Sequence, residues 1–187
     1  MRLAETRDGD AIARIYAPMV ATTPISFEVD PPSGEQMAAR VSGTLPDHPW
    51  LVAESDGVVG YAYAHRFHPR AAYDWTVETS IYVDPTHWRK GGGRRLYTAL
   101  LAVLRAQGYR RAIALVTLPN PASVHLHEGM GFGPVGVYHR VGWKFGAWHD
   151  VGLWELDLGA GGGDPAAPIP VTDLAPGVLA AALAPAP

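Results

Sequence analysis

The feature that most constrains this chain is a strand that runs into a glycine-rich helix start. Residues 76–83 alternate and are rich in β-branched and aromatic side chains, which is typical of a β-strand. After a short turn come Gly91, Gly92 and Gly93, and leucines then recur at helical spacing as far as Gln107. Glycines let a backbone approach an anion closely, and the free N–H groups of a helix start bind negative charge. The segment therefore predicts a cradle for a diphosphate.

Cationic residues flank this helix start at Arg89, Lys90 and Arg94. Full positive charges beside free N–H groups favour a phosphate ligand. A Walker A loop is excluded because no Gly-Lys-Ser/Thr sequence follows at the required spacing. A Rossmann loop is disfavoured because Arg95 and Leu96 stand where its third glycine would fall. A surface turn with solvated charges stays open as the alternative.

Strands and helices alternate over residues 1–158, which predicts one mixed α/β domain. A first helix should begin at Asp8 or Asp10 and end near Ala17, because Pro18 follows. A capping box at Ser33 predicts a second helix, to residue 41. Strands are expected at 50–54, 58–64, 76–83, 112–118, 136–141 and 148–157, and further helices at 93–107 and 121–130.

Residues 159–187 differ from the rest of the chain in composition. They are rich in Gly, Pro and Ala and nearly free of charge, and they begin with a Gly-Ala-Gly-Gly-Gly run typical of a flexible linker. We interpret them as a tail that is draped on the surface or disordered, with room for one or two helical turns at 178–183.

Composition narrows the function classes. The net charge of -3 and the pI near 6.2 give no basis for a nucleic-acid partner. The chain has no cysteine, which excludes disulfides, thiolate metal sites and a cysteine nucleophile. No apolar run approaches the roughly 20 residues that span a bilayer, and the N-terminus lacks the apolar core of a secretory signal. We therefore expect a cytoplasmic protein without a membrane partner.

The glycine-rich segment resembles a known coenzyme loop. Residues 88–93, Trp-Arg-Lys-Gly-Gly-Gly, are similar to the (Gln/Arg)-x-x-Gly-x-(Gly/Ala) loop of the GNAT acetyltransferase superfamily, with Trp88 where Gln or Arg is usual. Segments 73–83, 118–132 and 141–154 look like its phosphinothricin N-acetyltransferase branch. The resemblance implies a mostly antiparallel central sheet, flanked by helices and splayed around an acetyl-CoA site. It also implies a homodimer.

The resemblance assigns the coenzyme contacts to three regions. The main chain of Ile81 and Val83 would pair with the pantetheine arm in the manner of an added strand. Asn120 and Ser123 would contact pantetheine and phosphates, and both also suit helix capping. The diphosphate would be held by Arg89, Lys90, Gly91, Gly92, Gly93 and Arg94.

Two residues are implied as catalytic. Glu78 would be the general base for the acceptor amine, the alternative being a strand carboxylate paired with an arginine. His127 would transfer a proton at the thioester or at the amine, the alternative being an ordinary surface histidine. His125 and His127 do not suggest a metal site, because residues i and i+2 point apart on a helix. We expect no metal.

The acceptor pocket is assigned by resemblance to Phe27, His68, Arg70, Tyr73 and Tyr82, with Arg70 gripping an acidic amino acid. His68 stands where the family commonly has Lys or Arg, and each aromatic residue fits a core position as well. The sequence thus predicts acetyl transfer from acetyl-CoA to the amino group of phosphinothricin or a similar small amino acid, by direct attack. The alternatives are methionine sulfoximine, methionine sulfone or another small amine, and, more distantly, a non-catalytic acyl-CoA-binding protein.

Overall fold

The computed structural model describes residues 1–88, 90–159 and 163–184, and over these the chain forms seven strands and five α-helices. The strands are β1 (Arg2–Leu3), β2 (Trp50–Glu54), β3 (Val58–Arg66), β4 (Thr76–Val83), β5 (Arg111–Leu118), β6 (Gly133–Lys144) and β7 (Ala147–Asp157). The helices are α1 (Gly9–Thr22), α2 (Gly34–Thr44), α3 (Gly92–Gln107), α4 (Pro121–Gly129) and α5 (Pro176–Leu183).

All these strands lie in one sheet of order β1-β2-β3-β4-β5-β7-β6. Every neighbouring pair is antiparallel except β4 and β5, which are parallel and pair only through residues 76–78 and 111–113. Beyond Glu78, β4 stays paired with β3 as far as Val83, and β5 stays paired with β7 as far as Leu118. The two halves of the sheet therefore diverge. We call the gap between residues 79–83 and 114–118 the fork.

Helices cover both faces of the sheet, and the alternation of strand side chains decides which residue meets which helix. On β3, Tyr61 belongs to the apolar cluster with Ile12 and Ile15 of α1. Its neighbour Ala62 belongs to the opposite cluster, with Leu100 of α3. The predicted mixed α/β fold is confirmed. So is the capping box at Ser33. Helix α3 ends at Gly108, whose φ of 92° lies in the left-handed region that favours glycine.

The predicted end of α1 before Pro18 is wrong, because the helix continues to Thr22. A proline inside a helix costs about 3 kcal/mol, through a lost hydrogen bond and a steric clash. Met19 and Val20 follow Pro18 and are buried against the sheet. Full burial of each such side chain contributes about 1.5–3 kcal/mol, so tertiary packing offsets the cost.

The strands of the last hairpin extend further than the sequence pattern indicates. The turn between β6 and β7 consists of Phe145 and Gly146 alone, with φ of 49° and 73°. Two left-handed residues suit the right-handed twist of a tight hairpin. Trp143 and Lys144, expected in the loop, therefore belong to β6 and point to opposite sides of the sheet.

The described part of the predicted tail packs against α3. Val171 and Leu174 are buried with Val103 in a third apolar cluster. The Gln107 side chain donates to the carbonyls of Asp47 and Ile169, both at 2.8 Å. The tail packs against α3 because this helix also carries apolar side chains on the face that points away from the sheet.

Candidate active site

Glu78 lies at the apex of the fork, as the last residue of β4 that pairs with β5. Its carboxylate is mostly buried, with 23% of the side chain exposed, and its Oε1 lies 3.7 Å from His65 Nε2 on the neighbouring strand. Burial raises the pKa of the Glu78 carboxyl, and the His65 charge opposes this in part. Among the described residues no arginine lies within salt-bridge distance of it. The carboxylate is therefore free to act on a ligand.

His127 lies on α4 and is buried, contrary to the surface alternative. Its Nδ1 is 2.8 Å from the carbonyl of Ser123, and a carbonyl can only accept, so Nδ1 carries the proton. Nε2 is then a lone-pair acceptor, and it has no partner among the described residues although it is buried. Burial between the rings of Tyr97 and Phe132 lowers the pKa of His127. The neutral imidazole can accept a proton at Nε2.

The fork has the open strand edge that an added strand requires. The N–H of Asp84 donates to Val59 of β3 at 2.9 Å. Because backbone groups alternate along a strand, those of Ile81 and Val83 face the other way, into the fork. The Val83 carbonyl accepts the Trp88 indole N–H at 2.8 Å. Trp88 stands where the family usually has Gln or Arg, and its indole contacts the edge of the fork.

The start of α3 lies just beyond this strand edge and is open to a ligand. Gly91 is the N-cap with φ 75°, a conformation that favours glycine, and no side chain of the described residues caps the helix. A Cβ added to Gly91 or Gly92 would meet no described atom within 4 Å. The uncapped N–H groups, with Lys90 beside them, fit the diphosphate that the resemblance implies.

Arg94 reaches away from the open helix start. Its Nη1 donates to the carbonyl of Gly129 at the end of α4, at 2.8 Å. The guanidinium thereby fixes α4, which carries His127, to the start of α3. Arg89, predicted beside it, lies outside the described residues.

A cleft follows the fork from Glu78's strand to α4. The Asn120 side chain caps α4 by accepting from the Ser123 N–H at 3.1 Å, as the sequence predicts. Both residues also face the cleft, so capping and ligand contact are compatible. Further lining residues are Ile25, Ser80, Tyr82, Thr117 and His127.

The predicted acceptor residues do not form one group. Tyr82 lines the cleft and packs edge-on against Tyr16, with ring centroids 4.8 Å apart. Phe27 instead lies over Gly142 of β6, and its ring is 6.2 Å from His149.

The other three acceptor residues lie in the loop between β3 and β4. The main-chain N–H of Arg70 donates to His68 Nδ1 at 3.2 Å, and the rings of His68 and Tyr73 are 4.7 Å apart. This loop follows the strand end that carries His65, the cross-strand neighbour of Glu78.

Sequence reasoning missed several residues of the cleft. Ser80 was detectable, because period-2 alternation puts it on the same face of β4 as Glu78. Ile25 and Thr117 had no signal of their own, since only tertiary structure brings their segments to the fork. Within the described ranges, no three His, Asp or Glu residues come together as a metal site requires. No helix there is both long and apolar enough to cross a bilayer.

Comparison with known proteins confirms the resemblance. Residues 1–153 match the model of the acetyltransferase (GNAT) domain family. Phosphinothricin N-acetyltransferase of Streptomyces viridochromogenes is 40% identical over 172 residues, covering 91% of this chain and 92% of that protein. L-methionine sulfoximine/L-methionine sulfone acetyltransferase of Salmonella typhimurium is 35% identical over 162 residues, covering 84% and 94%.

A solved structure agrees in fold. The GNAT superfamily phosphinothricin acetyltransferase of Sinorhizobium meliloti, in complex with AcCoA, superposes with a TM-score of 0.84 at 36% identity. The match covers 88% of this chain and 91% of that one. The chain therefore belongs to the GNAT acetyltransferase family and is an acetyl-CoA-dependent N-acetyltransferase.

Proposed function

We propose that this enzyme acetylates the amino group of phosphinothricin or a closely related small amino acid. The observation that supports it most is the fork itself. At its apex stands the Glu78 carboxylate, which has no arginine partner among the described residues. The buried imidazole of His127 lines the cleft that follows the fork, and within the described residues its Nε2 has no partner.

The fork suits the extended arm of acetyl-CoA. The main chain of Ile81 and Val83 would hold the pantetheine arm, and the helix start at Gly91 to Gly93, with Lys90, would hold the diphosphate. The coenzyme supplies an acetyl thioester when it is bound.

Acetyl transfer to an ammonium group must remove two protons from nitrogen. Glu78 takes the first, which converts the ammonium to a nucleophilic amine, and its raised pKa makes it a better base than an exposed carboxylate. His127 takes the second at Nε2 as the new amide forms. The resulting imidazolium then carries the proton that the departing thiolate needs, so one residue serves both ends of the reaction.

Arg70 supports an acidic acceptor, because a guanidinium pairs with a carboxylate or phosphinate in bidentate fashion. His68 replaces a second family cation, which favours acceptors with a less charged head group, such as methionine sulfoximine. A thiol-release assay with phosphinothricin, methionine sulfoximine, methionine sulfone and a polyamine separates these acceptors. Turnover with the polyamine alone would contradict the proposal.

Arg70→Ala is expected to raise KM for phosphinothricin by roughly 10- to 100-fold, since a charged hydrogen bond contributes about 1.5–3 kcal/mol. KM for acetyl-CoA should change less than about twofold. Steady-state kinetics with each substrate varied in turn measures both. Arg7→Ala, which removes an exposed arginine that pairs with Glu5, is the control. Equal effects on both KM values would indicate that Arg70 supports the fold and does not bind the acceptor.

We also propose that β6 is the contact of a homodimer. It is an edge strand of the sheet, and Tyr138, Val141 and Trp143 are each more than half exposed along it. A long apolar edge favours pairing with a second copy. Trp143→Glu should reduce the mass measured by light scattering after gel filtration to that of a monomer. Trp88→Glu, at a comparably exposed tryptophan away from β6, should leave the mass unchanged, and a monomeric wild type would refute the proposal.

A further inference from the structure

Lys144 is a buried lysine whose charge is balanced by main-chain carbonyls. It lies at the end of β6, and only 7% of the residue is exposed. Its Nζ donates to the carbonyls of Val20 at 2.6 Å, Ser26 at 2.7 Å and Thr23 at 3.2 Å. An ammonium has three N–H donors, and all three are used here.

The three carbonyls belong to the end of α1 and the loop that follows. The Val20 carbonyl would normally accept from the residue four positions later, but that residue is Pro24, which has no N–H. The end of a helix also carries partial negative charge. Lys144 therefore caps α1 from a strand more than a hundred residues further along the chain.

This contact crosses from one half of the sheet to the other. Helix α1 packs on the half that holds β3 and β4, whereas β6 lies at the far edge of the half that begins with β5. The fork separates these halves beyond Glu78. Lys144 thus connects them on the side of the fork that faces α1.

The connected loop, residues 23–33, forms a wall of the cleft. Ile25 lines the cleft together with Thr117 and His127. Phe27 lies over β6 so closely that a Cβ on Gly142 would overlap its ring. Toward α1, the Ser26 hydroxyl is 2.7 Å from the hydroxyl of Tyr16, a residue of that helix. The loop is held from both halves of the sheet, and Lys144 ties it to β6.

We infer that Lys144 is a positioning residue that holds loop 23–33 as the acceptor-side wall of the cleft and so limits the size of the amino acid admitted. This inference rests on the proposed function, because it takes the cleft face lined by Ile25 and Tyr82 as the acceptor side. Without the ammonium, three carbonyls lose their donor, and the loop loses this tie to β6.

Lys144→Met, which keeps the length and the apolar stem, tests the inference. KM for the acceptor should rise on the order of tenfold or more, while KM for acetyl-CoA changes less than about twofold. The activity with phenylalanine, a bulkier amino acid, should rise relative to that with phosphinothricin. Hydrogen exchange should accelerate in residues 23–33 and stay unchanged in α2.

Gln107→Met is the matched control, since Gln107 is also buried and also ties two segments through main-chain carbonyls, away from the cleft. It should lower the Tm without separating the two KM values. An equal rise of both KM values in Lys144→Met, or unchanged exchange in residues 23–33, would overturn the inference.

A second variant, Gly142→Ala, tests the inference if Lys144→Met does not fold. Gly142→Ala leaves the ammonium in place and displaces the Phe27 ring from β6. It should raise the acceptor KM selectively, and an unchanged acceptor KM would overturn the inference. Failure of the proposed function would look different: the wild type would acetylate none of the amino acids, whereas hydrogen exchange in residues 23–33 would still report on Lys144.

Discussion

Glu78→Gln is expected to lower kcat by roughly 10²–10⁴-fold, the usual contribution of a positioned general base. The amide keeps the size of the side chain but cannot take a proton. The Kd of acetyl-CoA should stay within about twofold of the wild type, because the proposed diphosphate site at Gly91 to Gly93 lies beyond the other end of β4. Steady-state turnover and isothermal titration with acetyl-CoA measure the two quantities separately.

The pH dependence provides an independent check on Glu78. A general base is active when deprotonated, and burial raises the pKa of the Glu78 carboxyl above its ordinary value of 4.5. The kcat/KM of the wild type should therefore fall, as pH decreases, at a higher pH than an exposed glutamate would give. The contribution of Glu78 to this acidic limb should be absent in Glu78→Gln. Glu155→Gln, at a half-exposed strand carboxylate beside Arg111, should behave like the wild type. Near-normal turnover of Glu78→Gln would show that Glu78 is not the general base.

Gly92→Val should weaken acetyl-CoA binding by about 10- to 100-fold. Each hydrogen bond from a main-chain N–H to a charged phosphate contributes about 1.5–3 kcal/mol, and a branched side chain at the helix start keeps the phosphate away. The added Cβ meets no described atom within 4 Å, so the effect should be on binding rather than on folding. Titration calorimetry with acetyl-CoA measures the Kd.

Gly92 is a better site for this substitution than Gly91, because the two glycines differ in backbone conformation. Gly91 has φ 75°, so a substitution there would strain the backbone and destabilise the helix start whatever the ligand does. Gly177→Val is the matched control, because Gly177 is likewise in the first turn of a helix with open space around its Cβ. An unchanged Kd in Gly92→Val would mean that the coenzyme's diphosphate binds elsewhere.

The sequence alone determined the elements whose signals are local. The alternation of residues 76–83, the glycines before α3 and the N-cap at Asn120 each specify a strand or a helix start through near neighbours. Because the glycine-rich segment is contiguous, its place in the chain and its resemblance to the family's coenzyme loop follow from the order of the residues.

Tertiary structure decided what depends on contacts between distant segments. No local pattern predicts that β4 and β5 pair for only three residues and then diverge. This divergence creates the fork. The continuation of α1 through Pro18 and the packing of Val171 on α3 depend on burial, which outweighs local preference. The sequence pattern places Lys144 in a loop. Only the fold brings its ammonium to three carbonyls more than a hundred residues away, because long-range pairing is set by the shape of the whole core.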